Sequence, residues 1–374
     1  MADRLLKTIL VDLIPPRLTK AESLDRLQEL EELVRTYGGI VVVKTHQRRA
    51  APHPATFLGT GKIEQLAEEG KRLGAALVVI NDRLKPRQVY LLSEALRPAG
   101  LQVWDRLDLI LKIFAKHART TEARLEIELA GIRHMGPRIY GMGLELSRQG
   151  GGTGTRGKGE TNTEIMRRHL RERAEAVGEK LARYQTMRRA RQERRRRQGL
   201  PTAALVGYTN AGKTSLLNRL TRRREYAADE LFATLDTRVG SLYVARKENE
   251  PPRQVLVSDT IGFIQNLPPE LLNAFASTLS EAADADVLVQ VVDAADAHAA
   301  DHLRVVDEIL KRLGAAETPR VLAVNKIDAA GADWRRRLGP AFDAGAFAAV
   351  APVSAATGQG MEALAAAIAR PLVS

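Results

Sequence analysis

The eight residues at 207–214, Gly-Tyr-Thr-Asn-Ala-Gly-Lys-Thr, constrain the fold of this chain more than any other segment. They match the pattern G-x-x-x-x-G-K-[ST] and follow an apolar run at 203–206. In this pattern a strand leads into a glycine-rich turn and the turn into a helix, whose first backbone N–H groups attract phosphate anions. The segment therefore predicts a nucleotide-phosphate site at the end of a strand in an α/β sheet.

Three more motifs follow, each at the end of a predicted strand. Asp259-Thr-Ile-Gly ends the run 254–258, Asn325-Lys-Ile-Asp ends the run 320–324, and Ser354-Ala follows the run 347–353. The Asp328 carboxylate can accept hydrogen bonds from two N–H groups of guanine that adenine does not present in that arrangement. The ordered motifs predict a Ras-like P-loop GTPase domain at 198–374 that binds GTP and hydrolyses it to GDP and phosphate.

The P-loop and the Asp259 motif predict the phosphate and metal contacts. Lys213 is expected to bridge the β- and γ-phosphates, the Thr214 hydroxyl to bind Mg²⁺, and Asp259 to orient the metal. The Gly262 N–H can meet the γ-phosphate because no side chain blocks it. These residues make the site one for hydrolysis as well as binding.

The segment 231–237 is the first switch that the sequence predicts. A threonine here would close on Mg²⁺ and the γ-phosphate and release them after hydrolysis, and we choose Thr234 over Thr237. The predicted catalytic residues are Lys213, Thr234 and Gly262. The predicted Mg²⁺ ligands are Thr214, Thr234 and Asp259. The predicted nucleotide-binding residues are Gly207, Tyr208, Thr209, Asn210, Ala211, Gly212, Lys213, Thr214, Ser215, Phe232, Ala233, Thr234, Asp259, Thr260, Ile261, Gly262, Asn325, Lys326, Asp328, Ser354, Ala355 and Ala356.

Phe263 stands where many small GTPases carry a water-orienting glutamine. An apolar ring cannot orient water, so hydrolysis should be slow unless a partner or an ion helps. Asn210 offers one source of help, because similar asparagines occur in GTPases where a bound K⁺ stands in for an arginine finger. We therefore expect Mg²⁺ as a cofactor and treat K⁺ as a candidate second cation.

Composition excludes several classes of function. The chain has no cysteine, which rules out disulfides, thiolate zinc sites and cysteine nucleophiles. Neither a secretion signal nor an apolar run long enough for a transmembrane helix is visible. We expect a soluble, cytoplasmic protein, with peripheral membrane association left open.

Residues 1–104 alternate apolar runs with segments of helical spacing. This alternation is typical of βαβ units and a mostly parallel sheet, so a small N-terminal α/β domain is predicted. Within it, Gly59-Thr-Gly-Lys precedes a helix. These residues could hold a phosphate or form a plain loop-to-helix turn, and the sequence leaves both open.

Residues 105–197 predict an antiparallel helical hairpin. One helix is expected at about 105–132 and another at about 163–197. Each has an apolar seam, and the two seams can pack against each other and become buried. Glycines concentrate between them, and each costs backbone entropy in a helix. A long loop at about 136–160 is therefore predicted at the hairpin tip.

Positive charge concentrates in this hairpin. The chain carries a formal net charge of +12, and residues 166–197 alone hold thirteen Arg and Lys against four Glu. Charge of one sign favours a polyanion such as RNA, while a solvated helix face, a linker arm and a flexible glycine linker are the alternatives. The candidate RNA-binding residues are Arg148, Arg156, Lys158, Arg188, Arg189 and Arg191.

Several stretches together resemble the HflX family of ribosome-associated GTPases. They include Pro54-Ala-Thr-Phe-Leu-Gly-Thr-Gly-Lys, Asn81-Asp-Arg-Leu-Lys-Pro-Arg-Gln, Gly151-Gly-Thr-Gly-Thr-Arg-Gly-Lys-Gly-Glu-Thr, Phe232-Ala-Thr-Leu-Asp and Asp259-Thr-Ile-Gly-Phe. The resemblance implies binding to the large ribosomal subunit, with the hairpin reaching ribosomal RNA. It also implies subunit splitting or ribosome rescue, as in some members.

Three functional hypotheses follow from these observations. The leading one is a GTP-switched factor, monomeric in solution, whose partners are GTP or GDP, the large ribosomal subunit and ribosomal RNA. A GTPase that assists tRNA modification is the alternative suggested by Asn210. A regulator of membrane or protease partners is the third, for which the sequence offers no anchor.

Overall fold

A computed structural model of the chain describes residues 5–149, 156–222, 231, 238–244, 252–264, 281–330, 334–339 and 342–372. They belong to two compact units, one formed by Met1–Lys116 with Arg124–Lys180 and the other by His117–Ala123 with Leu181–Ser374. This division differs from the predicted boundaries after residues 104 and 197. Among the described residues, no helix has both the length and the apolar character needed to cross a bilayer.

The first unit contains a parallel sheet whose four described strands have the order β2-β1-β3-β4. Ile9, Leu10 and Val11 of β1 are fully buried, as expected for a parallel strand with helices on both faces. The strands are β1 Leu6–Ile14, β2 Gly39–Arg48, β3 Leu77–Ile80 and β4 Gln102–Asp105. The helices between and after them are α1 Lys20–Arg26, α2 Gln28–Tyr37, α3 Thr60–Leu73 and α4 Pro86–Leu96. The predicted N-terminal α/β domain is confirmed.

The predicted single helix at about 105–132 is wrong, because the chain ends one helix and begins another near residue 120. Helix α5 spans Arg106–His117 and helix α6 spans Thr121–Gln149. The Thr120 hydroxyl accepts a hydrogen bond from the Ala123 N–H at 3.2 Å, which is the bond of a helix N-cap. The apolar periodicity continues across this break and therefore hides it.

The predicted loop at about 136–160 is wrong over 136–149 and 156–160, which are helical. Helix α6 continues to Gln149, and helix α7 spans Arg156–Arg197. His134 and Arg138, one turn apart, are both anchored on the same carboxylates, which offsets the unfavourable Gly136 and Pro137 between them. Residues 156–160 extend α7, because adding residues to an existing helix needs no new nucleus. Residues 150–155 lie outside the described residues.

The anchor of α6 is a buried cluster of Asp105, Asp108, His134 and Arg138, which we call the acidic clamp. Arg138 Nη1 donates to both oxygens of Asp108 at 2.7 Å, and its Nη2 donates to Asp105. His134 Nε2 lies 3.0 Å from Asp108 Oδ1. The ligand atoms of the two aspartates and the histidine lie within 4.8 Å of one another, as in a metal site. The Arg138 guanidinium, however, already supplies the cation.

Helices α6 and α7 run antiparallel within this unit, which confirms the predicted hairpin. Arg173 Nη2 of α7 donates to Glu128 Oε2 of α6 at 3.1 Å. Further along α6, a Cβ on Gly136 would lie 3.9 Å from Leu170 of α7. The two helices are therefore in contact at this point, and the space there would also accommodate a Cβ.

The second unit contains a sheet whose six described strands have the order β10-β9-β8-β5-β7-β6, with only the β6–β7 pairing antiparallel. Its strands are β5 Thr202–Gly207, β6 Arg238–Val244, β7 Arg253–Asp259, β8 Val287–Asp293, β9 Arg320–Asn325 and β10 Ala349–Pro352. Its helices with complete bounds are α8 Lys213–Thr221, α9 Ala299–Arg312, α10 Ile327–Ala330, α11 Trp334–Arg337 and α12 Met361–Ala369. The carboxyl ends of the parallel strands meet at one edge, where ligands bind in sheets of this kind. The predicted Ras-like architecture is confirmed.

Candidate nucleotide site

The P-loop lies between β5 and α8 and is tied down by an asparagine. Gly212 precedes α8 with a φ of +92°, and a Cβ there would lie 2.2 Å from Asn325 Nδ2. Asn325, the last residue of β9, donates from Nδ2 to the Ala211 carbonyl at 2.8 Å, and its Oδ1 accepts from the Ala355 N–H at 3.0 Å. One side chain thus joins the P-loop to the loop after β10, and only glycine at 212 leaves room for it.

Lys213, the first residue of α8, turns back over the P-loop. Its Nζ donates to the carbonyl oxygens of Gly207 and Tyr208 at 3.1 and 2.8 Å. Burial lowers the pKa of Lys213 to about 8, against the opposing effect of the Asp259 carboxylate. Because a poorly solvated ammonium is stabilised by an anion, a phosphate in the P-loop would raise this pKa again.

Thr214 and Asp259 place a hydroxyl and a carboxylate side by side. Thr214 Oγ1 donates to Asp259 Oδ2 at 2.7 Å, and both residues are buried. The pair lies where β7 ends beside the first turn of α8. Oxygen donors of this kind suit Mg²⁺, which takes one or two protein groups and completes its shell with phosphate and water. The donor set fits the ion that the sequence predicts.

The start of the second switch is paired with the P-loop backbone. The Thr209 N–H donates to the Phe263 carbonyl at 2.8 Å, and the Phe263 N–H donates to the Gly207 carbonyl at 3.0 Å. A Cβ on Gly262 would lie 2.7 Å from Thr209 Cγ2 and 3.0 Å from Lys213 Nζ, so this approach requires glycine. Phe263 itself is fully buried. Its ring is part of the buried core. A buried apolar ring cannot orient water, as expected from the sequence.

The residues predicted to contact the base lie around Asn325. Lys326 has a φ of +61°, and its Nζ pairs with Asp293 Oδ2 at 2.7 Å. Asp328 is exposed in the first turn of α10. Ser354 is buried, and its hydroxyl accepts from the Thr357 N–H at 3.1 Å. The Asp328 carboxylate is therefore accessible, whereas the Ser354 side chain shapes its own loop.

Arg219 is a residue of this site that sequence reasoning missed. Its Nε donates to the Ala355 carbonyl at 2.8 Å and its Nη2 to the Ala356 carbonyl at 2.5 Å. The arginine thus holds the loop after β10 against α8. Nothing in the sequence distinguishes Arg219 from an ordinary surface arginine.

Other predicted residues take supporting positions or lie outside the description. The Thr260 hydroxyl donates to the Leu205 carbonyl at 2.7 Å, and Ile261 is buried, so both side chains pack into the domain. Asn210 has a φ of +61° in the P-loop, and Ser215 lies half-buried in α8. The first-switch residues Phe232, Ala233 and Thr234 lie outside the described residues.

The candidate RNA-binding residues are all placed on the two long helices. Arg148 lies in α6, and Arg156 and Lys158 lie in the first turn of α7, where only the backbone is described. Arg189 and Arg191 are exposed on α7. Arg188 instead pairs with Glu122, its Nη2 donating to Oε1 at 3.0 Å. That intramolecular ion pair was not expected from the sequence.

Arg188 also lines a cavity of about 250 Å³ in the second unit. The cavity lies between the end of α7 and the sheet, with Leu256 and Ser258 of β7 on its wall. Burial raises the pKa of Glu281 in this cavity, although Arg188, Arg195 and a hydrogen bond from Ser258 oppose the shift. Ser258 directly precedes Asp259 in β7, and because successive side chains of a strand point to opposite faces, the cluster lies on the other face of the sheet from the Asp259 carboxylate.

A P-loop at the end of a central strand, a hydroxyl–carboxylate pair beside it, and an asparagine-anchored base loop together define a P-loop GTPase. Family models agree along the chain. They are described as GTP-binding GTPase N-terminal at residues 24–115, GTP-binding GTPase Middle Region at 117–197 and 50S ribosome-binding GTPase at 202–326. The molecule is therefore an enzyme that hydrolyses GTP.

Comparison with known proteins narrows this class to one family. The chain is 43% identical over 323 residues to GTPase HflX of Caldanaerobacter subterraneus, covering 86% of this chain and 72% of that protein. It is 41% identical over 310 residues to GTPase HflX of Escherichia coli, covering 83% and 71%. A crystal structure of SsGBP in complex with GDP is similar over 98% of both chains, with 25% identity and a TM-score of 0.53. The chain belongs to the GTPase HflX family.

Proposed function

We propose that this GTPase is a GTP-switched factor that binds the large ribosomal subunit and acts in ribosome splitting, rescue or quality control. The observation that carries the proposal is the match of residues 202–326 to a family described as 50S ribosome-binding GTPase. The exposed arginines of α7 support it, because charge of one sign on one helix suits a phosphate backbone. The proposal includes a cytoplasmic location and a monomeric state in solution.

The three-part division of the chain remains part of this proposal. Residues 1–104, 105–197 and 198–374 would act as the N-terminal domain, the helical arm and the GTPase domain. The three family models follow one another in the same order, which supports that order and the boundary after residue 197, whereas the first two models meet at residues 115–117. In it, Arg148, Arg156, Lys158, Arg189 and Arg191 would contact ribosomal RNA, and Arg188 would hold the base of the arm through Glu122.

Within the GTPase domain, we assign the chemistry to three residues. Lys213 would exchange its two carbonyl partners for phosphate oxygens, and the Gly262 N–H would meet the γ-phosphate across the space that only glycine leaves. Thr234 would close on the nucleotide from the first switch. Thr214 and Asp259 would hold Mg²⁺, which offsets phosphate charge during transfer. Asp328 would select guanine.

Co-sedimentation with separated ribosomal subunits tests the proposal directly. Purified protein is mixed with large or small subunits in GDP, GTP or a non-hydrolysable GTP analogue and spun through a sucrose cushion. We expect retention on large subunits, strongest with the analogue. Equal retention in all three nucleotides would show that binding is not controlled by GTP. Retention on neither subunit would overturn the proposal.

A further inference from the structure

The side chain of Tyr208, the second residue of the P-loop, is stacked on a histidine outside the nucleotide motifs. The rings of Tyr208 and His302 are 3.6 Å apart between centroids and inclined by 9°, which is a parallel stack. Tyr208 is 6% exposed, and His302 lies in the first half of α9. Because the two rings lie nearly face to face, the position of the Tyr208 ring depends directly on the His302 side chain.

The imidazole of His302 is itself held in place. His302 Nδ1 lies 3.3 Å from Asp296 Oδ2, and Asp296 Oδ1 accepts from the His298 N–H at 2.8 Å. Burial would raise the pKa of Asp296, but its hydrogen bond with His302 and the one from His298 outweigh burial and lower it. The carboxylate therefore stays ionised at neutral pH and fixes one edge of the imidazole.

The backbone of Tyr208 is a junction of the catalytic machinery. Its carbonyl accepts from Lys213 Nζ at 2.8 Å, and the residue forms a parallel bridge with Phe263. The hydrogen bonds of that bridge run through Gly207 and Thr209 on either side. A shift of the Tyr208 ring would therefore move the P-loop, the resting place of Lys213 and the start of the second switch together.

We propose that His302 is a positioning residue for GTP hydrolysis, acting through its stack on Tyr208. Among the described residues, its contact with the nucleotide site runs through the side chain of Tyr208. By fixing the Tyr208 ring from the α9 side, it holds the P-loop backbone and the paired Gly262–Phe263 segment in one arrangement. The P-loop contacts serve GDP and GTP alike, whereas the paired switch matters to the reacting γ-phosphate. Loss of the stack should therefore affect turnover more than nucleotide affinity.

A matched pair of variants tests this inference. His302→Leu keeps the volume and removes the stack, while His302→Phe keeps the stack and removes the Asp296 pair. We expect kcat for GTP hydrolysis to fall roughly 2- to 10-fold in His302→Leu, the size of effect expected when one positioning contact between aromatic rings is lost. The Kd for GDP should change less than kcat. His302→Phe should recover at least half of the wild-type kcat.

His298→Leu is the control, because its ring lies 6.3 Å from His302, is inclined by 47° and is partly exposed. It should turn over GTP like the wild type. Wild-type kcat in His302→Leu, or equal losses in His302→Leu and His302→Phe, would overturn the proposal. Thermal unfolding of each variant in GDP separates a loss of catalysis from a loss of folded protein.

Discussion

Asn325 shows, at the scale of single residues, how one side chain can join two loops of a binding site. Its amide nitrogen and oxygen bond the P-loop carbonyl of Ala211 and the N–H of Ala355. The accessible carboxylate of Asp328, three residues later, is the group that we propose reads the base. The division of roles predicts that Asp328 governs specificity and Asn325 governs the shape of the site.

Asp328→Asn should weaken GTP binding by about 2–4 kcal/mol, because an amide must turn a donor towards the donors of guanine. Xanthosine triphosphate, which presents an acceptor there, should bind the variant better than GTP. Direct titration of both nucleotides measures the change. Glu308→Gln, which removes a charge from an exposed position on α9, should bind GTP like the wild type. Unchanged GTP affinity in Asp328→Asn would remove this residue from the base site.

Asn210 carries the second prediction at this scale. We expect GTP hydrolysis to be faster in KCl than in NaCl at equal ionic strength, because a cation beside the β- and γ-phosphates would offset charge in the transition state. Asn210→Ala should abolish the difference between the two salts while still binding GDP. Steady-state phosphate release measures both. Equal wild-type rates in the two salts, with and without ribosomes, would exclude the K⁺ site.

At the scale of elements, the acidic clamp decides where α6 is helical and how firmly it is held. Burial alone would raise the pKa of Asp108, but hydrogen bonds from His134 and the charge of Arg138 outweigh burial and hold it well below its ordinary value. Burial would lower the pKa of His134, but its hydrogen bonds to the two aspartates outweigh burial and raise it. Each group is thus stable in its charged form only with the others present.

The clamp predicts a pH-dependent stability of known sign. Because the folded pKa of His134 lies above its unfolded value, its contribution is fully present below about pH 6.5 and is lost as the pH rises through the folded pKa. His134→Gln should flatten this dependence. Arg138→Met should cost about 3–5 kcal/mol, since it leaves buried carboxylates without their cation. Arg133→Gln, an exposed neighbour on α6, is the control and should change stability by less than about 0.5 kcal/mol.

Urea unfolding followed by the fluorescence of Trp104 measures these effects in the first unit. The second tryptophan, Trp334, is replaced by Phe throughout so that the signal reports the residue next to Asp105. A wild-type stability profile that matches His134→Gln at every pH would contradict the account of the clamp.

The exposed arginines of α7 make the other prediction for an element. Arg189→Gln with Arg191→Gln should weaken binding to large subunits and reduce the slope of log affinity against log salt by about 1.5–2 units, one counterion-releasing contact for each residue. Arg312→Gln with Arg336→Gln removes the same charge from exposed positions of the GTPase domain and should leave the slope unchanged. Equal slopes for the two double variants would assign α7 a structural role only.

Across the whole molecule, the sequence predicted most where the chemistry fixes residue types at set spacings. The P-loop, the strand-end motifs and the order of the domains all follow from such patterns. It failed near residue 120, where apolar periodicity runs through a helix break made by one hydroxyl of Thr120. The sequence-based prediction also failed at 136–149. Gly136 and Pro137 are unfavourable in a helix, but carboxylates distant in the chain stabilise the helix there.

The same limit applies to the site. Gly212 and Asn325 belong to recognisable motifs, so their positions could be anticipated. Arg219, the Arg188–Glu122 pair and the His302–Tyr208 stack are contacts between segments far apart in the chain. Only the fold shows which arginine or histidine meets which partner.

We propose that the large ribosomal subunit completes the catalytic function of this GTPase. The rate of GTP hydrolysis, measured for the protein alone, with purified large subunits and with purified small subunits, tests this proposal. We predict a saturable increase of about tenfold or more with large subunits, because the apolar side chain of Phe263 cannot orient water and hydrolysis then gains most from outside help. A rate unchanged at saturating large subunits, or raised equally by small subunits, would contradict the claim.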